Sequence, residues 1–240
     1  NGYQAALLFL SAMIGGYVAA PLNLLSQRSQ LAYVLGHCDC KLLFTSLDYE
    51  TPLGEALAGV KRPIEVIVID PDAADLFVEK ELPKTNLEAV APGDPALLMY
   101  TSGTTGTPKG ALLTHANLLA SASAVAAWHG LTPQDRCLSS LPIYHINGQV
   151  IATVTPFVSG GSLIAPHRFS ASTWWELVER HQATWINMVP TIIAYLLNSA
   201  VPGRSYRFPK VRFGRSASAP LPPEQHRAFE KTFGISVIEC

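Results

Sequence analysis

Tyr100-Thr-Ser-Gly-Thr-Thr-Gly-Thr-Pro-Lys-Gly110 sets five small hydroxyl side chains, three glycines and one cation between two apolar runs, residues 96–100 and 110–113, that read as strands. Those are the parts a polyphosphate needs. Glycines let backbone N–H groups curl around an anion, hydroxyls donate without bulk, and a lysine adds a point charge. No Asp or Glu occurs from Pro95 to Gln134, so no carboxylate near the loop in sequence repels an anion. The Walker-type phosphate loop does not fit. Counted from Gly103, Pro108 stands where its second glycine belongs and Gly110 where its Ser/Thr belongs. That loop also joins a strand to a helix, whereas this one joins two strands before Thr114 caps a helix through residue 127.

Outward from the loop, helix-like and strand-like pieces alternate. Upstream, residues 27–36 and 52–59 read as helices and 41–45 and 64–69 as strands; residues 71–95 read as a surface excursion rich in Pro, Asp, Glu and Lys. Downstream of a crossover at 128–136, strands are expected at 137–141, 162–165, 184–189 and 211–213, with helices near 148–157, 172–181, 190–199 and 223–233. This is an α/β chain with buried, mostly parallel strands. Two α/β lobes, residues 1–128 and 129–240, are the simplest division, and a cleft between lobes is a common place for a ligand.

Composition narrows the function classes. In 240 residues, 17 basic and 18 acidic side chains nearly cancel, so no global field draws the protein to nucleic acid or to an anionic membrane. Residues 5–25 carry no charge, but Gly15, Gly16 and Pro21 interrupt them, and a buried helix followed by a short extended run at 17–20 explains them better than stable membrane insertion. There is no basic leader segment ahead of that run. The chain begins at Asn1 rather than Met, which suggests sequence upstream. Cys38 and Cys40 flank Asp39 beside His37, yet Cys137 and Cys240 form no second pair at ligand spacing. No metal site is expected, and the four cysteines read as reduced thiols of a cytoplasmic protein. Gly214-Arg-Ser-Ala-Ser218 misses the hydrolase nucleophile elbow at its final position.

The order of residues in 100–110 closely resembles the phosphate-binding signature of the adenylate-forming superfamily: acyl- and aryl-CoA synthetases, peptide-synthetase adenylation domains and beetle luciferases. The resemblance runs along essentially the whole chain. Gly15-Gly-Tyr-Val-Ala-Ala-Pro-Leu-Asn23 is similar to an early family segment, Leu141-Pro-Ile-Tyr-His-Ile-Asn-Gly148 to the second core motif, and Ser216-Ala-Ser-Ala-Pro-Leu-Pro-Pro-Glu224 to the adenine-proximal segment. It implies two α/β lobes of the large N-terminal domain of such an enzyme, with the C-terminal domain absent.

The resemblance also implies roles. Thr101, Ser102, Gly103, Thr104, Thr105, Gly106 and Lys109 would hold the ATP phosphates, and Ser218, Ala219 and Pro220 would wall the adenine. His145, with Asn147 and Gly148, would line the acyl pocket, the histidine orienting the substrate carboxylate. That carboxylate is ionised at neutral pH and needs no base. Residues 188–192 could add to the acyl pocket, although core packing accounts for them as well. Ala217 stands where relatives usually carry glycine. A magnesium carboxylate, an adenine-stacking tyrosine and a catalytic lysine are expected beyond Cys240, which makes this chain an expected fragment with little turnover.

The implied reaction joins a carboxylic acid and Mg2+-ATP into an acyl-adenylate, then transfers the acyl group to CoA. No acidic residue lies between Asp135 and Glu176, which disfavours an amino acid substrate and favours an uncharged acyl or aryl tail. An acyl-AMP ligase loading a carrier protein, a luciferase-like oxidase and a non-catalytic nucleotide-binding module remain alternatives. Oligomeric state is not legible.

Overall fold

Residues 1–23, 25–73, 89–101 and 107–240 are described by a computed structural model. They form two compact units, Gly2–Leu118 and Leu119–Cys240 with Asn1, the division falling inside one helix.

In the first unit, the apolar run forms α1, Tyr3–Ile14, which ends where Gly16 turns to a φ of +80°. At 12 residues it spans roughly 18 Å. No helix among the described residues is long and apolar enough to cross a membrane. The expected short strand after it reduces to one rung: Ala19 donates to Ala96 and accepts from Leu98. Next, α2 (Arg28–His37) starts at a capping box in which Gln27 and Gln30 exchange side-chain and backbone bonds. Then β1 (Leu42–Thr45) pairs in parallel with β2 (Glu65–Val68) across α3 (Leu47–Leu57). Leu31, Leu35, Leu43, Leu53 and Ala56 make the core between them. The sequence puts the start of α3 at Pro52, but the helix begins five residues earlier. Asp48 and Glu50 favour the electropositive first turn, and Pro52 sits inside at the loss of one backbone bond.

The two strands flanking the hydroxyl-rich loop are antiparallel: β3 is Pro95–Thr101 and β4 is Lys109–Thr114. Helix α4, His115–Trp128, follows at once. Its first turn is held by a reciprocal pair: the Asn117 N–H donates to Thr114 Oγ1 at 3.3 Å, and Asn117 Oδ1 accepts from the Thr114 N–H at 3.0 Å.

The second unit is a five-stranded, wholly parallel sheet. Its strands are β5 (Arg136–Ser139), β6 (Ser162–Ile164), β7 (Trp185–Met188), β8 (Phe213–Ser216) and β9 (Val237–Glu239), in spatial order β6-β5-β7-β8-β9. Between β5 and β6 a wide-turned helix, Asn147–Val154, leads into α5, Thr155–Val158. There the Thr153 and Thr155 hydroxyls donate five residues back, to the carbonyls of Gly148 at 2.7 Å and Val150 at 3.0 Å. The crossovers onward are α6 (Trp174–Arg180), α7 (Pro190–Asn198) and α8 (Pro223–Phe233). Trp174, Ile186, Met188, Ile193, Leu196 and Phe229 fill the core on one side of the sheet.

Strand β8 lies later than the expected 211–213. Gly214 and Arg215 have weak strand propensity, and pairing with β7 on one side and β9 on the other overrides it. Strand β9 itself is absent from the sequence reading. Its three residues are too short a run to register, and it exists because β8 offers an edge.

Candidate functional site

Strand order decides where a ligand can enter the second unit. From β5 the chain moves to β6 on one side and then to β7 on the other, so the crevice at the carboxyl ends of β5 and β7 is a topological switch point. Three segments meet there: 140–148 after β5, 189–190 after β7 and 217–220 after β8.

The first segment holds the residues expected on the acyl side. His145 is exposed, its N–H on the Pro142 carbonyl at 3.0 Å, its carbonyl accepting from Gln149 at 2.9 Å, and its ring against Tyr144 at 4.7 Å. Asn147 and Gly148 are buried. A Cβ on Gly148 would stand 2.1 Å from the Pro142 carbonyl oxygen, so only glycine lets the wide helix start this close to the strand end. Asn1 braces the same turn. Its Nδ2 donates to the carbonyls of Ser140 at 3.2 Å and Leu141 at 2.9 Å, and its Oδ1 accepts from the Ile143 N–H at 3.0 Å.

Ser218, Ala219 and Pro220, expected to wall the adenine, are exposed just past β8. Ser218 has a φ of +74°, a conformation that costs a side chain about 1 kcal/mol or more and tends to be retained at functional sites. Ala217 is not among the positive-φ residues, so the methyl group in place of glycine imposes no backbone strain there.

The segments after β5 and β8 are joined directly. Asn147 Nδ2 donates to Ser218 Oγ at 3.2 Å across 71 residues of sequence. Asn147 Oδ1 accepts from Asn187 Nδ2 at 3.0 Å and from Arg215 Nη1 at 3.2 Å, and Arg215 Nη1 also reaches Asn187 Oδ1 at 3.2 Å. Asn187 and Arg215 were missed by sequence reasoning. A signal existed: Asn187 is a lone amide in the otherwise apolar Trp185-Ile-Asn-Met188, a strand buried on all four residues. Met188 and Ile192, considered for the acyl pocket, lie in the hydrophobic core.

At the opposite end of this sheet a second polar cluster is structural. Asp135 is 4% exposed and accepts Arg212 Nη1 at 2.7 Å on both oxygens, Thr184 Oγ1 at 2.7 Å, and the Thr132 N–H and hydroxyl at 2.8 and 3.0 Å. Burial works to raise its pKa, but these donors outweigh burial and hold it below the ordinary carboxylate value. A hollow of 380 Å³ beside β6, lined by Arg136, Ser162, Leu163 and His181, includes none of the candidate residues.

In the first unit, Thr101 and Lys109 are cross-strand partners, both exposed, at the open end of the β3–β4 pair. Ser102, Gly103, Thr104, Thr105 and Gly106 lie outside the described residues. The preceding Tyr100 is anchored, its hydroxyl 2.7 Å from His37 Nδ1, and burial with the nearby Cys38 and Tyr33 pushes its pKa up to about 12. Among the described residues no group of three or more His, Cys, Asp or Glu side chains is placed to hold a metal ion.

Comparison with known proteins places this geometry. The AMP-binding enzyme family model matches residues 1–240. The chain is 52% identical over 244 residues to a sulfoacetate–CoA ligase of Cupriavidus necator, covering 100% of this chain and 47% of the relative. It is 31% identical over 247 residues to an oxalate–CoA ligase of Arabidopsis thaliana, covering 100% and 48%. The crystal structure of ATP-bound MatB from Rhodopseudomonas palustris superposes with a TM-score of 0.82 at 29% identity, over 98% of this chain and 46% of that one. The chain thus spans about half the length of the curated relatives it matches. With an α/β architecture matching the N-terminal domain of adenylate-forming enzymes, it belongs to the AMP-binding enzyme family.

Proposed function

We propose that the protein of which these residues form part is an AMP-forming acid:CoA ligase. A carboxylic acid attacks the α-phosphorus of ATP, pyrophosphate leaves, and the CoA thiol then displaces AMP from the acyl-adenylate to give a thioester. The observation that carries this reading is the Asn147–Ser218 hydrogen bond at 3.2 Å, which draws the acyl-side and adenine-side segments to one switch point.

The roles follow from placement. The turn at His145 presents an exposed imidazole to orient the acid carboxylate. Asn147 and Gly148 shape the acyl side, and Ser218, Ala219 and Pro220 offer an exposed edge to the adenine. In the first unit, Thr101 and Lys109 bracket residues 102–106, the proposed phosphate loop. Catalysis is mostly positioning and charge stabilisation, because an ionised carboxylate is already a nucleophile. Magnesium accompanies ATP and neutralises phosphate charge; it is not assigned to any residue described here.

Two of the relatives are named for sulfoacetate and oxalate, short acids with a second anionic group. We extend that substrate class to this chain, in place of the uncharged tail favoured by the lack of acidic residues between Asp135 and Glu176. A carrier-protein acceptor and a non-catalytic nucleotide-binding role are the competing readings. With relatives twice as long, these 240 residues alone are proposed to supply part of the site and little turnover. The test is pyrophosphate release by the full-length protein across mono- and dianionic short acids, with and without CoA. A ligase gives acid-dependent pyrophosphate and CoA-dependent AMP release; a carrier-loading enzyme gives only the first, and a binding module gives neither.

A further inference from the structure

Between α2 and β1 the chain turns through His37-Cys-Asp-Cys40, and both thiols come together at that turn. Asp39 has a φ of +52°, in the left-handed region. A residue of either helical hand sets its neighbours' Cα atoms roughly 5.5 Å apart, inside the roughly 4.4–6.8 Å that a disulfide spans. Arg62 clamps the turn, donating to the Asp39 carboxylate at 3.0 Å and to the Leu35 carbonyl in the last turn of α2. Cys38 Sγ accepts hydrogen bonds from the Cys40 thiol, from the Cys40 backbone N–H and from Arg62. The sulfurs also sit against carbonyls, Cys38 3.8 Å from Leu35 and Cys40 3.2 Å from Leu42. Both cysteines are free and half-buried.

These contacts make two like side chains chemically unequal. The Cys40 hydrogen bond, above all else, brings the Cys38 pKa down to about 6 against burial, with Arg62 assisting; the same bond and burial push Cys40 up. At neutral pH one sulfur is a thiolate nucleophile and its neighbour keeps the proton. The thiolate's charge is felt at Tyr100, where it adds to burial in raising the phenol pKa. A metal reading fails for want of ligands. His37 Nδ1 is 2.7 Å from the Tyr100 hydroxyl, and among the described residues no group of three His, Cys, Asp or Glu side chains is placed to hold an ion. A low-pKa thiolate beside a protonated second thiol is instead the arrangement in which a sulfenic acid is captured as it forms.

We propose that Cys38 and Cys40 are a modification site for hydroperoxides, Cys38 being the thiol oxidised first and Cys40 the one that closes a disulfide on it. The Cys38 thiolate attacks a peroxide oxygen, the O–O bond breaks, and hydroxide leaves to give the Cys38 sulfenic acid. The Cys40 sulfur then attacks Cys38 Sγ; its proton and the sulfenic hydroxyl depart together as water, and the S–S bond forms. Each sulfur loses one electron, and the peroxide gains both. A dithiol reductant reverses the change, forming its own disulfide as the two thiols return. This chemistry needs neither ATP nor an acid and stands apart from the ligase reading.

The test uses the full-length protein, reduced and desalted, exposed to hydrogen peroxide at pH 7, blocked with iodoacetamide and digested with trypsin. Residues 29–41 fall in one tryptic peptide that carries both cysteines. In wild type that peptide should appear two hydrogens lighter and unalkylated, and dithiothreitol should restore two alkylatable thiols. Brief exposure with dimedone present should place the sulfenic-acid adduct on Cys38 in about tenfold excess or more over Cys40. Cys40→Ser, which keeps a hydrogen-bond donor beside Cys38, should form no disulfide and leave Cys38 to be trapped by dimedone. Both thiols still alkylated after peroxide has oxidised a free-cysteine control would contradict the proposal. Cys38 carried to the sulfinic acid while Cys40 stays a thiol, or a disulfide from either to another cysteine, would contradict it as well. A dimedone adduct mainly on Cys40 would overturn the order of the two steps.

Discussion

Thr101 and Lys109 face each other as cross-strand partners in the β3–β4 pair, so the chain leaves and re-enters the sheet at one rung. That register fixes both ends of the hydroxyl-rich loop. It also places an exposed ammonium at its exit, where a phosphate would need one. Lys109→Ala should therefore change thermal stability by less than about 0.5 kcal/mol, as for an ordinary surface substitution. It should lower acid-dependent pyrophosphate release of the full-length protein by about tenfold or more. Paired unfolding and turnover measurements check this. A large stability loss, or full activity, would count against the assigned role.

Gly148 tolerates no side chain. The oxygen a Cβ would meet at 2.1 Å belongs to the Pro142 backbone, which cannot rotate away as a flexible side chain could. Gly148→Ala should cost about 3 kcal/mol or more, at the upper end for overpacking. Urea unfolding would show it as a lowered midpoint at unchanged slope.

Asp135 ties the starts of β5, β7 and β8 through Thr184, Thr132 and Arg212. Because its folded pKa is depressed, its stabilising contribution is complete above the unfolded carboxylate value, near 4, and is lost as pH falls through the folded value. Asp135→Ala should cost about 2–3 kcal/mol at pH 7, discounted because Arg212 is 44% exposed and keeps its hydration. Stability measured from pH 7 down to 3 should fall less steeply in the variant than in wild type. Parallel curves would rule out this linkage.

Cys38 and Cys40 differ despite being two residues apart. A hydrogen bond from Cys40 is the main cause that lowers the Cys38 pKa to about 6, with help from Arg62, while that same bond and burial push Cys40 up. Asp39 between them has a φ of +52°, and Arg62 reaches its carboxylate at 3.0 Å. Iodoacetamide at pH 7 should therefore label Cys38 ahead of Cys40, with a rate that rises through about pH 6. Peptide mapping after brief labelling checks the order. Preferential labelling of Cys40 would contradict it.

Much of the fold was legible because periodicity and punctuation agree. Thr114 announced the start of α4, and the glycine-rich loop between apolar runs announced a link between two strands rather than a strand–helix junction, while their antiparallel pairing came only from the structure. What escaped has a common cause. Strand β8 contains Gly214 and Arg215, and β9 is three residues long, so both owe their existence to sheet neighbours and not to local preference. Of the candidate site, motif order singled out His145, Asn147 and Ser218, and the fold brings the last two into contact. Arg215 and Asn187 were not singled out, since a polar side chain within a strand is informative only once its face is known.

The enzyme proposed to contain these residues adenylates a short acid and passes it to CoA. Its most direct test incubates the full-length protein with ATP, magnesium, CoA and sulfoacetate or oxalate, and follows pyrophosphate, AMP and thioester together. Acid-dependent pyrophosphate release and CoA-dependent appearance of AMP and thioester in equal amounts are expected. Binding of ATP with pyrophosphate release at background for every short acid would contradict it.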